Sequence, residues 1–549
     1  MTGADRAAPA REKTTGRQAA WWRGSVGYEV YLRSFADADG DGVGDLWGLY
    51  GKLDYLAWLG VDLLWVTPFY PSPMLDHGYD VADYCDVDPR YGTLAAVDAL
   101  VERAHALGLR LLIDLVPNHT SWEHPWFRQA RSARDNPYRD YYIWRDPAAG
   151  GGPPNNWRSH FGGPAWSFDE RTGQWWLHLF LPGQPDLNWA NRAVADEFDD
   201  ILRFWLDRGV DGFRVDVAHA LVKHPDLPDN PPARHEQAAL MAGMSAAYRS
   251  QQHLYDVNQP GVLDIYRRWR KVVDPYGGLL LGEAYVLEAP DLARYVVDQD
   301  GLHLAFWFRP LHMDWDPVAV REVLEAATVA APDSSLAWVQ SSHDRPRAVT
   351  RFGGGALGRA RALAHATLLM GLPGVPFVYQ GEELGLADAR IAREDARDPA
   401  GVRDDAGGSS RDGARTPMLW SPGPGLGFTT AGRPWLPFGD RTDADTVAVQ
   451  RADPSSTLRR YRRLIRLRRE TPDLHTEPVQ WVDEAGGVVA YRRGRVLVAA
   501  NCTHDEAAVE LPTGRWRLAF ATAGQEDRPE PLAATLRLRP QEAVVAQST

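Results

Sequence analysis

Two carboxylates in this sequence stand where their surroundings favour opposite protonation states. In GFRVDVAHA, Arg214 and Asp216 are two residues apart, so both side chains point to the same side of a strand. A neighbouring guanidinium favours the ionised carboxylate, so we expect Arg214 to lower the pKa of Asp216, as a nucleophile requires. In LLLGEA, Glu283 follows an apolar run, where desolvation disfavours the ionised form and keeps a proton available.

Two further polar groups follow apolar runs of the same kind. DLVPNH carries Asp114, Asn118 and His119, and SSHD carries His343 and Asp344. One ionised carboxylate, one protonated carboxyl group and a third carboxylate nearby are what glycoside hydrolysis uses, through an oxocarbenium-like transition state. Any one of these residues could belong to a structural ion pair. Titratable groups at the ends of four apolar runs together favour an active site. Glycosyl transfer is therefore the chemical hypothesis.

The elements that precede these residues have to bring them together. Eight apolar runs alternate with amphipathic segments such as 93–108 and 358–371, which is typical of βα units and a parallel sheet. The runs are GYEVYL, DLLWV, LRLLIDLV, DGFRVDV, GLLLGEA, HLAFWF, LAWVQ and VPFVYQ. Eight such repeats predict a closed (β/α)8 TIM barrel, in which active sites form at the C-terminal ends of the strands.

Two regions depart from this alternation. Residues 118–184 are rich in Trp, Pro and Gly and too long for an ordinary βα loop, so we predict a B subdomain inserted after strand three. Residues 471–549 alternate strands with turns and predict a C-terminal antiparallel β-sandwich. The predicted α/β fold therefore has a disordered polar tail at 1–20, a catalytic barrel at 21–117 and 185–470, and these two additions.

Composition narrows the class of protein. The chain has 549 residues and a formal net charge of −13, which repels nucleic-acid phosphates, so we expect no nucleic-acid partner. No apolar run is long enough for a membrane span or a secretory signal, so we expect a soluble, cytoplasmic protein without a membrane partner. Cys85 and Cys502 stand far apart in sequence and cannot form a disulfide framework or a zinc site.

Four of the motifs together resemble a known family. DLVPNH, GFRVDVAHA, LLLGEA and SSHD are similar, in order, to the main conserved regions of the α-amylase family of glycoside hydrolases, family 13. Within that family, the chain from about residue 21 onward resembles the α-glucosidase and oligo-1,6-glucosidase group. The resemblance implies that Asp216 is the nucleophile, Glu283 the general acid/base and Asp344 the transition-state stabiliser.

Other stretches resemble the regions of this family that bind the sugar. DHGYD supplies Asp76 and Tyr79 to hold the non-reducing end, and RDGARTPMLW supplies Arg411, which would pair with Asp76 and close the pocket. QPDLN at 184–188 resembles the region that marks the oligo-1,6-glucosidase branch. A closed pocket implies exo action on one terminal glucose. The subsite for that glucose would be lined by His119, Arg214 and His343.

The sequence departs from the family pattern in three places. Ser342 stands where Asn usually precedes the His-Asp pair, which would change the hydrogen bonding near Asp344. Val217 follows the nucleophile, and valine there accompanies α-1,6 activity in related enzymes; it is also an ordinary strand residue, so the bond preference stays open. His219 and Ala220 stand where Lys-His is usual in endo-amylases, which favours short substrates.

A run of acidic residues near the start of the chain predicts a metal site. DADGDGVGD offers alternating hard oxygen ligands that can wrap a cation, although Gly48 at the twelfth position excludes an EF-hand. The resemblance implies a structural Ca²⁺ there, and a solvated acidic turn is the alternative. The ligands would be Asp37, Asp39, Asp41, Asp45 and the Val43 carbonyl.

These observations predict a retaining, exo-acting α-glucosidase that hydrolyses terminal non-reducing glucose from short maltose- or isomaltose-type substrates by double displacement. No organic cofactor is expected. A transglucosidase or isomerase of the trehalose synthase or sucrose isomerase type would share the catalytic residues and differ in its acceptor. A non-catalytic sugar-binding or transporter-partner protein is a more remote alternative, because such proteins lose the catalytic carboxylates.

Overall fold

The structure is a computed structural model of the chain. It describes residues 20–234, 241, 244–286, 288–296, 300–333, 335–403, 410–483, 486–524 and 531–548. The predicted disordered tail, apart from Ala20, lies outside the described residues. Within the described part of the chain, no helix is both long enough and apolar enough to cross a membrane.

A closed parallel barrel forms the centre of the fold. Eight strands close it in the order β1-β2-β3-β7-β8-β9-β10-β11, and β11 pairs back to β1. They coincide with the eight predicted apolar runs, so the predicted barrel is confirmed. In chain order the strands before the C-terminal region are β1 (Gly27–Val30), β2 (Leu63–Val66), β3 (Arg110–Leu115), β4 (Trp144–Arg145), β5 (Trp166–Asp169), β6 (Gln174–Leu177), β7 (Gly212–Val215), β8 (Leu279–Gly282), β9 (Leu304–Trp307), β10 (Leu336–Trp338) and β11 (Val375–Tyr379).

The barrel strands are buried on both faces, which is why they read as continuous apolar runs. Leu63, Trp65 and Leu112 belong to the cluster that fills the barrel interior, whereas their neighbours Leu64 and Leu111 pack in the larger outer core with the helices. The alternation follows from the two-residue period of a strand. Polar side chains are therefore confined to the strand ends, where the interior opens to solvent.

Helices cover the outside of the barrel. The helix at Arg192–Asp207 buries Val194, Phe198, Leu202 and Trp205 at helical spacing, and the Asn191 side chain caps its first turn by accepting from the Ala193 N–H. The described α-helices span Leu46–Tyr50, Leu53–Leu59, Leu94–Ala106, Pro125–Ala130, Arg192–Asp207, Ala246–Arg249, Val262–Val273, Ala289–Ala293, Pro317–Ala330, Ala348–Arg351, Gly355–Gly371, Pro399–Arg403, Val447–Ala452, Thr457–Glu470 and Asp473–Thr476.

A small antiparallel sheet follows β3, in the order β4-β6-β5. Its apolar cluster includes Trp157, Trp166 and Leu179 and extends to Val217, just beyond β7. The sheet therefore packs over one side of the barrel mouth, next to the residue that follows Asp216.

The C-terminal region is a two-sheet sandwich. A five-stranded sheet in the order β12-β13-β14-β18-β16 faces the two-stranded sheet β15-β17, and apolar residues of both sheets form one cluster. This antiparallel region agrees with the predicted sandwich. Its strands are β12 (Gln480–Val482), β13 (Val488–Arg493), β14 (Val496–Asn501), β15 (Ala507–Glu510), β16 (Trp516–Ala521), β17 (Thr535–Leu538) and β18 (Ala543–Ser548).

Candidate active site

A cavity of about 380 Å³ opens at the C-terminal end of the barrel. All nine residues that the sequence assigned to catalysis or substrate binding line it, although they come from six separate stretches of chain. The nine are Asp76, Tyr79, His119, Arg214, Asp216, Glu283, His343, Asp344 and Arg411.

One buried guanidinium organises the carboxylates at the base of the cavity. Arg214 is 1% exposed and pairs with Asp114 at 2.9 Å, Asp216 at 2.6 Å and Glu283 at 2.8 Å. Strand register explains the grouping, since Arg214 lies beside Asp114 of β3 and beside Leu281 of β8, two residues before Glu283. Three carboxyl groups thus share one positive charge.

Arg214 does lower the pKa of Asp216, but the expected net result, a pKa below the usual range, is wrong. Burial raises the pKa of Asp216 well above its usual range, and although Arg214 opposes this effect, the charges of Glu283 and Asp114 and a hydrogen bond with Glu283 add to it. Asp114 and Glu283 were placed from the sequence at other strand ends of the same site, but their charges were not set against that of Arg214. Asp216 therefore retains a proton more readily than an isolated carboxylate does.

Asp344, in contrast to Asp216, is held in its ionised form. Burial would raise its pKa, but the positive charges of His343, Arg411 and Arg415 together bring the pKa well below the usual range. Arg411 Nη1 and Arg415 Nη2 lie 3.0 and 2.7 Å from Asp344 Oδ1. Ser342, where the family has Asn, accepts a hydrogen bond from the Asp344 N–H at 3.2 Å, so its hydroxyl takes part in fixing this turn.

Glu29 is a site residue that the sequence analysis missed. It is buried in β1, and its Oε1 lies 2.5 Å from His343 Nδ1 and accepts from the His343 N–H. The other ring nitrogen of His343 lies 2.9 Å from the Tyr79 hydroxyl, and the Tyr79 and His343 rings stack at 5.6 Å. A lone carboxylate within the apolar run GYEVYL was the available signal.

One end of the cavity is closed by an ion-pair network around Arg411. Arg411 Nη2 lies 2.9 Å from Asp76 Oδ1 and 2.7 Å from Asp398 Oδ1. Gln184, from QPDLN, donates to Asp76 at 3.3 Å and lies 3.2 Å from His119 Nε2. The Asp76–Arg411 pair anticipated from the sequence is present, whereas Asp398, which is fully buried, was missed.

Comparison with known proteins identifies the family. The family model for the α-amylase catalytic domain matches residues 29–477. The chain belongs to the α-amylase family. A probable α-glucosidase of Rhizobium meliloti is 42% identical over 90% of this chain and 92% of its own length. The predicted family and its enzyme class, glycoside hydrolase, are therefore confirmed, and the chain is an enzyme rather than a non-catalytic sugar-binding protein.

Two solved structures have nearly the same fold as this chain. The α-glucosyl transfer enzyme XgtA superposes with a TM-score of 0.91 at 41% identity, covering 97% of this chain and all of that one. The trehalulose synthase MutB from Pseudomonas mesoacidophila MX-45 superposes with a TM-score of 0.87 at 34% identity, again covering 97% of this chain and all of that one. Because each superposition covers 97% of this chain, the likeness includes the inserted subdomain and the C-terminal region as well as the barrel.

One wall of the cavity is largely aromatic, and its Phe161 ring lies against Arg411, whose guanidinium carbon is 5.3 Å from the ring centre. Phe161 and Phe180 come from the inserted subdomain, and Tyr285 and Phe308 follow β8 and β9. The Tyr285 hydroxyl accepts from Arg345 at 2.7 Å. Aromatic rings suit the apolar faces of sugars, so this wall is the candidate acceptor side of the α-amylase-type pocket. None of these four residues was singled out from the sequence.

The acidic loop lies outside the cavity. Carboxylate oxygens of Asp37, Asp39 and Asp45 lie within 4.8 Å of one another; the exposed Asp41 is not in this group, and its Oδ1 accepts from the Val43 N–H. Burial raises the pKa of Asp45, and the charge of Asp39 adds to the effect. Three converging hard oxygen donors fit a divalent cation such as Ca²⁺.

Proposed function

We propose that the protein is a retaining, exo-acting α-glucosidase that releases terminal non-reducing glucose from short α-glucosides. The observation that carries the proposal is the pair formed by Asp216 and Glu283 on the guanidinium of Arg214, in a pocket whose other end is closed by Asp76 and Arg411.

The pair supplies the two groups that double displacement needs. Asp216 attacks the anomeric carbon, the bond to the leaving oxygen breaks with its electron pair on that oxygen, and Glu283 transfers its proton there. In the second step Glu283 takes a proton from water, the hydroxide attacks the same carbon and the bond to Asp216 breaks. The proton thus leaves the pair in the first step and returns to Glu283 in the second, so that the pair ends the cycle in the protonation state in which it began.

The shared guanidinium of Asp216 and Glu283 supports retention of anomeric configuration. Inverting enzymes separate their carboxyl groups by about 6.5–9.5 Å to admit a water, whereas retaining enzymes hold them about 5–5.5 Å apart. Asp216 and Glu283 bond to the two terminal nitrogens of the same guanidinium, which favours the shorter of the two separations. The geometry supports a covalent glucosyl-enzyme on Asp216.

The ion-pair network supports exo action. The sugar hydroxyls at the closed end would meet Asp76 and Arg411, and a chain extending past the non-reducing end would have to break the pairs of Arg411 with Asp76 and Asp398. Asp344, held ionised by Arg411 and Arg415, would stabilise positive charge that develops on the ring.

A second candidate function is glucosyl transfer to a sugar acceptor. The likeness to an α-glucosyl transfer enzyme and to a trehalulose synthase supports it, as does the aromatic acceptor wall, which can hold a sugar and exclude water. Both candidates share the first chemical step and differ in what attacks the glucosyl-enzyme. Incubation with maltose, isomaltose, sucrose and trehalose distinguishes them: free glucose as the main product supports hydrolysis, and new disaccharides without free glucose support transfer.

We also propose that the acidic loop holds a structural Ca²⁺ through Asp37, Asp39 and Asp45. Such an ion would neutralise three close carboxylates and hold the loop to the segment around Thr429, whose hydroxyl donates to Asp37. It takes no part in the chemistry, because none of its proposed ligands lines the cavity.

A further inference from the structure

The turn after the proposed nucleophile has an unusual backbone conformation. Val217 has a φ of +45°, in the left-handed region that β-branched residues avoid for steric reasons. Such residues persist only where the surrounding structure holds them, and they concentrate at functional sites. We therefore expect the conformation of Val217 to have a structural cause and to affect the geometry of the active site.

The cause is the anchoring of the side chain. Val217 is 7% exposed and packs with Trp157, Leu179 and Ala220 in the apolar cluster of the inserted subdomain. The Val217 carbonyl also accepts from the Ala220 N–H at 2.9 Å. The side chain is therefore fixed on the subdomain while Asp216, one residue earlier, is fixed on the barrel, and the backbone between them takes the left-handed turn.

The consequence is that two successive N–H groups point at one residue. The Val217 N–H donates to Glu283 Oε2 at 3.0 Å, and the Ala218 N–H donates to the Glu283 carbonyl at 2.9 Å. In an extended strand successive N–H groups point to opposite sides. The left-handed turn directs both of them to Glu283, one to its side chain and one to its backbone.

The two oxygens of the Glu283 carboxyl group are thereby made different. Oε2 accepts from the Val217 N–H at 3.0 Å and lies 2.8 Å from Arg214 Nη2. An oxygen that accepts from two N–H donors is the poorer place for a proton, because a hydroxyl there would use a site that one of these donors occupies. The proton of the carboxyl group is therefore directed to Oε1.

We propose that Val217 is a positioning residue for the general acid: its backbone N–H, together with Arg214, fixes Oε2 of Glu283 as the acceptor oxygen and leaves Oε1 to donate the proton to the leaving group. This inference rests on the proposed function. In the step itself the Oε1–H bond breaks, the proton joins the leaving oxygen, and the electron pair of the O–H bond stays on the carboxylate.

A role in proton donation predicts a defect that depends on the leaving group. An alcohol leaving from a disaccharide needs the proton, whereas fluoride leaving from α-glucosyl fluoride needs it far less. Loss of the Val217 N–H should therefore slow disaccharide cleavage and spare α-glucosyl fluoride. A structural role alone would slow both substrates equally, because both use the same nucleophile and glucose subsite.

The test replaces the Val217 amide by an ester, through incorporation of α-hydroxyisovaleric acid at this position of the full chain, which removes only the N–H. We expect kcat/KM for the better of maltose and isomaltose to fall about tenfold or more and that for α-glucosyl fluoride to change less than about twofold. The matched control is the ester at Ala218, which removes the bond to the Glu283 backbone; any loss there should be equal for both substrates.

Equal loss on both substrates in the Val217 ester, or no loss on the disaccharide, would overturn the inference while hydrolysis by the unmodified chain upholds the proposed function. If the unmodified chain cleaves neither substrate, both fail. Should the ester not fold, Val217→Ile and Val217→Gly give the same contrast. Isoleucine keeps the branched, apolar anchor and should behave as valine, whereas glycine frees the turn and should show the leaving-group-dependent loss; similar behaviour of the two variants would contradict the inference.

Discussion

Asp216 and Glu283 accept hydrogen bonds from the two terminal nitrogens of one guanidinium, at 2.6 Å from Arg214 Nη1 and 2.8 Å from Arg214 Nη2. The planar fork of arginine sets their spacing and orientation together. Because the same guanidinium also pairs with Asp114, the position of the carboxyl pair is tied to β3 as well as to β7. Arg214 therefore joins three barrel strands at the point where the chemistry is proposed.

Arg214→Lys tests whether the fork matters beyond its charge. Lysine keeps the positive charge but presents one nitrogen, which cannot hold Asp114, Asp216 and Glu283 in the observed arrangement. We expect kcat/KM for a disaccharide to fall by about 10²-fold or more, measured by steady-state kinetics. The variant should remain folded by circular dichroism, with a lower Tm because a buried carboxylate loses its partner. Near-normal activity would show that the charge alone suffices.

The raised pKa of Asp216 makes a prediction about pH dependence. Lowering the pH protonates the nucleophile, so the acid limb of kcat/KM should lie above the ordinary aspartate pKa of about 3.9. Since Glu283 is one cause of the raised pKa, Glu283→Gln should move this limb to lower pH. The measurement uses α-glucosyl fluoride, which does not depend on the missing acid. A limb that stays in place or moves to higher pH would contradict the coupling.

The Asp76–Arg411 pair is predicted to bind the terminal glucose. Asp76→Asn removes a charge-assisted hydrogen bond worth about 1.5–3 kcal/mol, so kcat/KM should fall roughly ten- to a hundredfold. Arg411 keeps its contacts with Asp344 and Asp398, so the fold should survive. A double-mutant cycle with Arg411→Gln measures the coupling; strictly additive effects of the two substitutions would show that the pair does not act as a unit.

Removal of the proposed Ca²⁺ should change stability and leave the chemistry alone. Treatment with a chelator is expected to lower the apparent Tm by about 3–5 °C and to leave kcat at 25 °C unchanged, because none of the proposed ligands lines the cavity. Asp45→Asn should abolish the dependence of Tm on added Ca²⁺, whereas the matched variant Asp41→Asn, at the exposed carboxylate outside the cluster, should retain it. No Ca²⁺ dependence in the unaltered chain would refute the metal site.

The barrel could be predicted from sequence because each buried strand leaves a short apolar run. The same runs located the residues at the strand ends, since position along a barrel strand decides which side chains reach the mouth. Glu29 and Asp398 were missed for a different reason. The apolar run around Glu29 marks that carboxylate as unusual, but the partners of the two carboxylates, His343 and Arg411, are brought to them by folding and cannot be identified from the local sequence.

The protonation state of Asp216 shows the same limit. The neighbouring Arg214 was visible two residues away, but the competing Asp114 and Glu283 come from other strands, and burial depends on the closed barrel. The aromatic acceptor wall was equally hidden, because Phe161 and Phe308 come from a loop and a strand end nearly 150 residues apart. Local spacing predicts which side chains share a face, whereas the sum of charges in a cavity requires the fold.

The most direct test of the account is the anomeric configuration of the first glucose released from a disaccharide, followed by proton NMR before mutarotation. The bonding of Asp216 and Glu283 to one guanidinium predicts that α-glucose appears first and that the β-anomer grows in only as mutarotation proceeds. Initial release of β-glucose would mean inversion by a water between the two carboxyl groups, and it would contradict the proposed covalent intermediate on Asp216.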